Sequence, residues 1–318
     1  MQETIQKIFA IGKGILAADE STKTIEKRFS VLGLTSTPEL NKKYREMLFT
    51  APGIENYLGG VILFEESVRQ DLHKLLISLG IVPGIKVDGG LEAFNNSEEQ
   101  ITKGLEGLDA RIKEYAELGL KFTKWRAAIK ISDIFPTTAF LEEDMNRMAL
   151  YAKISQANGL VPIVEPEVLL DGNHTTTRCA EISVEVWNLL FGKLVASGVD
   201  LASLILKTNM ILPGKDSGVK AAPLEVAEAT LRSLKKSVPA TIGGIVFLSG
   251  GQTPDEATDN LNEIVKRKDD APWPISFSYS RALQEDAMKV WAGENIIAAQ
   301  EVFIKRLEMV SRARKGEL

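Results

Sequence analysis

Cysteine is almost absent from this chain. Of 318 residues one is cysteine, Cys179. An internal disulfide is therefore excluded, and a reducing, cytoplasmic setting is the expectation. Histidine is nearly as scarce: His73 lies in DLHKLL, read as helix, and His174 in a Gly/Asn turn. No H-x-x-x-H or C-x-x-C spacing occurs, so no His/Cys metal centre is expected. Positive charge is not in excess either. The net charge is −5, which argues against nucleic acid as a partner. No apolar run approaches the roughly 20 residues of a membrane span. The opening MQETIQKIFAIGKG lacks a basic segment followed by a long apolar core, so no signal peptide is expected. A G-x-x-x-x-G-K-[ST] phosphate loop is missing. So are linkers, low-complexity tracts and composition breaks. Residues 1–318 read as one domain of ordinary soluble composition, 44% apolar and 25% charged.

What is present is a repeated alternation. Eight short strand-like runs recur: GILAADE (14–20), GGVILFEE (59–66), VPGIKVD (82–88), FTKWRAA (122–128), LVPIVEPE (160–167), SLILKTNM (203–210), GIVFLSGG (244–251) and PISFSYSR (274–281). Amphipathic stretches separate them, among them 97–118, 140–159 and 178–198. Asn158-Gly159 and Gly198 read as helix stops. Strands alternating with helices predict a parallel sheet. Eight such units predict a closed (β/α)8 TIM barrel.

One strand contains an anomaly. Residues 202–212, ASLILKTNMIL, are apolar or small around Lys207. Strand side chains alternate faces, so Ile205 and Lys207 share a face opposite Leu204 and Leu206. The outer face must be apolar against the helices, which turns Lys207 inward. The same test groups Ile15, Ala17 and Asp19; Gly84, Lys86 and Asp88; Phe122, Lys124 and Arg126; Ile163, Glu165 and Glu167; Phe247 and Ser249; and Ile275, Phe277, Tyr279 and Arg281. Each face becomes polar or charged toward the strand's C-terminal end, where barrel active sites lie. Buried charges need partners, and this inward set is nearly balanced. Lys207 has the most apolar flanks. Desolvation and neighbouring cations favour its neutral amine, which attacks carbonyls and forms a Schiff base. On these grounds alone Lys86 and Lys124 also remain candidate nucleophiles.

Two anion sites are legible. FLSGGQTPDE ends the seventh strand with Ser249, Gly250 and Gly251 and then starts a helix. Small residues and a helix N-terminus suit phosphate, and Arg281 follows the eighth strand nearby. Barrels often bind phosphate there. The second candidate follows the first strand, where ADESTKTIEKR offers Ser21, Thr24, Lys27 and Arg28.

The strings GKGILAADEST, GGVILFEE, GIKVD, KWRAA, NGLVPIVEPE, LILKTNM, FLSGGQ and FSYSRALQ occur in order from about residue 12 to about residue 291. Together they resemble class I fructose-1,6-bisphosphate aldolase. The resemblance implies a Schiff base on Lys207 and reversible cleavage of fructose 1,6-bisphosphate in glycolysis and gluconeogenesis. It implies Glu165 as general acid/base with Glu167 beside it, and Asp19 as the group handling the C4 hydroxyl proton. Lys124 would assist charge handling and Lys86 would pair with Asp19. Ser249, Gly250, Ser280 and Arg281 would hold the C1 phosphate, and Arg126, Ser21 and Thr24 the C6 phosphate. It further implies small sugar phosphates as ligands, no metal or organic cofactor, and a homo-oligomer, dimer or tetramer. Three departures stand out. Thr208 replaces the usual proline after the lysine, and Ser280 replaces a glycine. The tail ending in tyrosine is not seen, so protonation of C3 is expected to rely on core carboxylates, Glu165 first. Two other readings compete: another Schiff-base barrel such as transaldolase, and a non-catalytic scaffold. Two cationic phosphate sites and the retained inward charges weigh against both. Preference among fructose 1,6-bisphosphate, fructose 1-phosphate and sedoheptulose bisphosphate is not legible.

Overall fold

The computed structural model describes residues 1–268 and 270–318. Ten strands occur: β1 (Gly14–Ala18), β2 (Leu58–Leu63), β3 (Val82–Lys86), β4 (Leu91–Ala93), β5 (Gln100–Thr102), β6 (Phe122–Ile129), β7 (Val161–Val168), β8 (Ile205–Thr208), β9 (Gly244–Phe247) and β10 (Ile275–Tyr279). Eight of them, all but β4 and β5, pair in parallel around a circle. β3 skips to β6, and β10 returns to β1. The expected (β/α)8 barrel is what forms, with helices covering its outside. Among the described residues no helix is long and apolar enough to cross a membrane.

The interior is small and apolar at its lower end. Ile15, Ala17, Ile62, Val82, Phe122, Val161, Ile163, Ile205 and Val246 form one cluster there. Helix Gln2–Ile8 closes that end, adding Ile5 and Ile8, with Phe9 packed against them. Fit is tight: a Cβ at Gly84 would fall 2.2 Å from the Phe122 ring. Apolar side chains of the opposite strand faces pack with the helices in a second, larger layer. Gly159 and Gly198 end their helices at φ +76° and +75°, as the sequence predicts.

Two expectations are corrected. On β9 and β10 the faces are reversed: Val246 belongs to the interior, whereas Phe247, Phe277 and Tyr279 belong to the outer layer. The Tyr279 hydroxyl donates to the Ala257 carbonyl of an outer helix at 2.8 Å. Alternation fixes which residues share a face but not which face is inside, and a narrow interior takes the small residues, Ser276 and Ser278. The second correction concerns 97–118. Only Leu108–Glu117 is helical. Gly104 and Gly107 take φ of +116° and +62° and break the helix, and Gln100–Thr102 instead pairs with Leu91–Ala93 as an antiparallel hairpin.

Candidate active site

Lys207 is the third of the four residues of β8, with Ile205 and Leu206 buried before it. Its side chain is 5% exposed, and Nζ lies 2.9 Å from Glu165 Oε1 on β7. The other Glu165 oxygen lies 2.9 Å from Lys124 Nζ on β6. Lys124 in turn lies 2.8 Å from Asp19 Oδ2, just past the end of β1. Four charges of alternating sign thus form a ladder across the barrel mouth: Lys207, Glu165, Lys124, Asp19. The sequence reading weighed apolar flanks and neighbouring cations around Lys207; the structure adds the carboxylate of Glu165 in contact with it.

The ladder fixes charge states. Burial disfavours the Asp19 carboxylate, but Lys124, Lys207 and Lys86 outweigh it and push its pKa down to about 2. Burial likewise opposes the Lys124 ammonium, yet Asp19, Glu165 and Asp88 hold its pKa well above the ordinary lysine value. Glu165 is lowered for the same reason: burial is overcome by Lys124, Lys207 and Arg126. Burying four charges costs several kcal/mol per ion before pairing, of order 3–5 kcal/mol if one partner is then lost. Such a ladder is weak as a source of stability. What it arranges is proximity: Glu165 is within proton-transfer distance of Lys207 and shares its second oxygen with Lys124.

The remaining inward charges pair beside it. Lys86 forms an ion pair with Asp88 and donates to the Asp88 carbonyl at 2.9 Å. Its implied pairing with Asp19 is therefore corrected; Lys86 acts on Asp19 only as a more distant charge. Arg126 Nε meets Glu167 Oε2 at 2.5 Å. The other oxygen of Glu167 lies 2.8 Å from where a Cβ on Gly250 would stand, so a side chain there would push the Glu167 carboxylate aside. Arg126 contacts Glu167 and Asp88, not Ser21 or Thr24.

The candidate anion segments follow three consecutive strands of the barrel, β9, β10 and β1. Ser249 is buried after β9, and Gly251 turns the chain at φ +82°. Helix Pro254–Lys266 then starts under a capping box made by Thr253 and Glu256. After β10, exposed Arg281 opens helix Arg281–Trp291. The hydroxyl of Ser280 does not cap that helix. It donates to Glu20 Oε1 at 2.9 Å and accepts from Arg28 Nη2 at 3.0 Å. Ser21 and Thr24 hydroxyls lie 3.1 Å apart at the start of helix Thr22–Ser30, whose last turn carries Arg28. The reading of the sequence missed Glu20, which also takes hydrogen bonds from Arg28 and Gln284. It stands next to Asp19 and so points off the inward face, and no local pattern marks it. Among the described residues no group of three His, Cys, Asp or Glu side chains could hold a metal ion.

Comparison with known proteins agrees with this geometry. A sequence profile of the family described as fructose-bisphosphate aldolase class-I, glycolytic, matches residues 1–318. A probable fructose-bisphosphate aldolase class 1 of Xanthomonas campestris pv. campestris is 43% identical, covering 100% of this chain and 98% of its own length. The cytosolic fructose-bisphosphate aldolase 4 of Arabidopsis thaliana is 45% identical, over 96% of this chain and 80% of its own. Among solved structures, fructose-bisphosphate aldolase of Plasmodium falciparum, crystallised with TRAP and a small-molecule inhibitor, superposes with a TM-score of 0.97. It is 42% identical and covers 99% of this chain and 94% of its own.

Proposed function

This chain belongs to the class I fructose-bisphosphate aldolase family, and from that membership we propose that it cleaves fructose 1,6-bisphosphate reversibly through a Schiff base on Lys207. The observation that carries this reading is the buried Lys207 ammonium 2.9 Å from Glu165 at the C-terminal end of a barrel strand. Glu165 takes a proton from Lys207, whose amine attacks the C2 ketone. The carbinolamine loses water with Glu165 as acid, leaving an iminium. Asp19 accepts the C4 hydroxyl proton, the C3–C4 bond breaks, and its electron pair moves into the iminium. Glyceraldehyde 3-phosphate leaves. Solvent takes the proton from Asp19 and returns one to Glu165, which delivers it to C3 of the enamine, and hydrolysis then releases dihydroxyacetone phosphate. Lys124, bridging Glu165 and Asp19, keeps both carboxylates in place while protons move. The iminium is itself the electron sink, so the chemistry requires no metal.

Around this core, Ser249, Gly250, Ser280 and Arg281 bind the C1 phosphate. Arg126, Ser21 and Thr24 serve the far end, with Glu167 holding Arg126 and Lys86 holding Asp88. A cytoplasmic role in glycolysis or gluconeogenesis, as a dimer or tetramer, completes the reading; single Cys179, fully buried, is compatible with a reducing setting.

The deciding assay is cleavage of fructose 1,6-bisphosphate with and without EDTA. Equal rates are expected. Loss of activity that Zn²⁺ restores would overturn the Schiff-base reading. The phosphate assignment has its own test. Arg281→Ala should weaken binding of dihydroxyacetone phosphate, and Arg126→Ala that of glyceraldehyde 3-phosphate. Loss of a charge-assisted hydrogen bond is about 1.5–3 kcal/mol, roughly ten- to hundredfold in affinity. Equal effects on both trioses would show the assigned polarity to be wrong.

A further inference from the structure

β6 outruns its neighbour. Its pairing with β3 ends at Lys86–Lys124, and Val87 N donates to the Lys124 carbonyl. Beyond that point four or five residues of β6 face no barrel strand on that side, and Arg126 is among them. A buried backbone group without a partner is costly, and other segments supply the partners. The Arg126 N–H donates to Asp88 Oδ2 at 3.3 Å. Its carbonyl accepts from the Thr102 hydroxyl at 2.9 Å. Gln100 pairs with Ala128. The hairpin β4–β5 thus stands in for the missing length of β3.

The hairpin is held in turn by helix Thr138–Ala157. Thr102 N–H donates to Asp144 Oδ1 at 3.2 Å, and Arg147 Nη1 donates to the Thr102 carbonyl at 3.1 Å. At the start of the same helix, the N-cap Thr137 donates from its N–H and its hydroxyl to Glu99, both at 2.7 Å. All three polar groups of Thr102 are used, and one of them ends on Arg126. Asp144 is fully buried, and its second oxygen has no hydrogen-bond partner. No step of the proposed reaction uses it.

We infer that Asp144 is a positioning residue for the phosphate-binding Arg126, acting through Thr102, and that its charged form tightens the grip on phosphate. The inference rests on the reading of Arg126 as a phosphate ligand. A carboxylate is a stronger acceptor than a neutral carboxyl group, so ionised Asp144 fixes the Thr102 peptide more firmly and with it the Arg126 carbonyl. Burial pushes the Asp144 pKa up to about 7, against the lowering effect of Thr102 and of Arg147. The charges around it are Arg147 and Glu143 on its own helix. On the hairpin, Glu92 lies 3.9 Å from Arg147, and Glu99 is occupied by Thr137. From the neighbouring helix Thr176–Ala196, Lys193 is taken by Glu142. Asp144 therefore changes charge near neutral pH while Arg126 does not.

The test is the KM for fructose 1,6-bisphosphate of wild type, Asp144→Asn and Thr102→Val between pH 6 and 8.5, with thermal melts to confirm folding. Titration of substrate phosphate is common to all three and cancels in ratios. The KM ratio of Asp144→Asn to wild type should be near one at pH 6 and rise to roughly fivefold at pH 8, the scale of one hydrogen bond, with kcat nearly constant. Thr102→Val should raise KM throughout and abolish the pH trend, and Thr102→Ser should restore it. A ratio flat with pH, or an effect on kcat alone, would assign Asp144 a purely structural role. Calorimetric titration with inorganic phosphate at pH 6 and 8, counting the binding lost in Arg126→Ala, reads the same ratio without turnover. If wild type fails to cleave the bisphosphate but phosphate binding shows the trend, the substrate reading fails and the role of Asp144 stands. If wild type cleaves but neither measurement shows the trend, the reverse holds.

Discussion

A Lys207→Ala variant is expected to lose cleavage activity by roughly 10⁴- to 10⁶-fold, the scale seen when a covalent nucleophile is removed, while keeping its fold. The fold should persist because Glu165 keeps Lys124 at 2.9 Å and is not stranded. Removal of one ammonium also relieves the desolvation cost of one buried charge. In wild type, incubation with dihydroxyacetone phosphate and borohydride should reduce the iminium and leave a stable adduct. Peptide mass spectrometry then locates it. Lys86 and Lys124 are the alternatives to exclude, and both are engaged differently. Lys124 sits between two carboxylates at 2.8 and 2.9 Å, and carboxylates on both sides hold its proton. Lys86 is spent on the side chain and carbonyl of Asp88. Lys207 has one carboxylate in contact, apolar flanks and a place on the inward face of β8. An adduct on Lys86 or Lys124, with Lys207 unmodified, would refute the assignment.

The second large effect is expected at Glu165. Glu165→Gln keeps the shape but removes, among the described residues, the only carboxylate in contact with Lys207 and one of two in contact with Lys124. General acid/base catalysis typically contributes about 10²–10⁴-fold, and kcat should fall by that much. Borohydride should still trap Lys207, though slowly, because the nucleophile remains. Rates within a few-fold of wild type would remove Glu165 from the mechanism. Acid stability gives a second reading. Burial opposes the Glu165 charge, but Lys124, Lys207 and Arg126 prevail and lower its pKa below the ordinary 4.5. A depressed pKa contributes stability above the unfolded value, and that stability is lost as pH falls through the folded one. Wild type should therefore show a component of destabilisation on acidification below about 4.5 that the glutamine variant lacks.

Much of this site was legible because charge is so poorly tolerated inside a strand. Lys207, Lys124 and Glu165 each interrupt an apolar run, and strand periodicity alone turns them toward one another. The barrel itself follows from the count of such runs. What escaped the sequence depends on tertiary choice. Alternation in ISFSY groups Phe277 with Tyr279 and Ser276 with Ser278, but only the narrow interior decides that the serines go in. The run 97–118 carries helical spacing, yet the far end of β6 needs hydrogen-bond partners, and Gln100–Thr102 provides them. The partner of Lys86 is equally a matter of reach: Asp88, two residues on, is nearer than Asp19. Glu20 lies beneath Ser280 through contacts 260 residues apart, a distance no local pattern spans.

Helix Gln2–Ile8 has a bearing on traffic. With Ile5, Ile8 and Phe9 packed against the apolar interior, the chain's own first helix covers the lower end of the barrel. In the proposed reaction, substrate, water and both products use the mouth where Lys207, Glu165, Lys124 and Asp19 stand. In that scheme the triose bonded to Lys207 stays anchored, and the free aldehyde leaves through the mouth before water releases its partner. Order of departure then follows from the covalent bond, and the covered lower end leaves the strands' C-terminal side as the face for exchange.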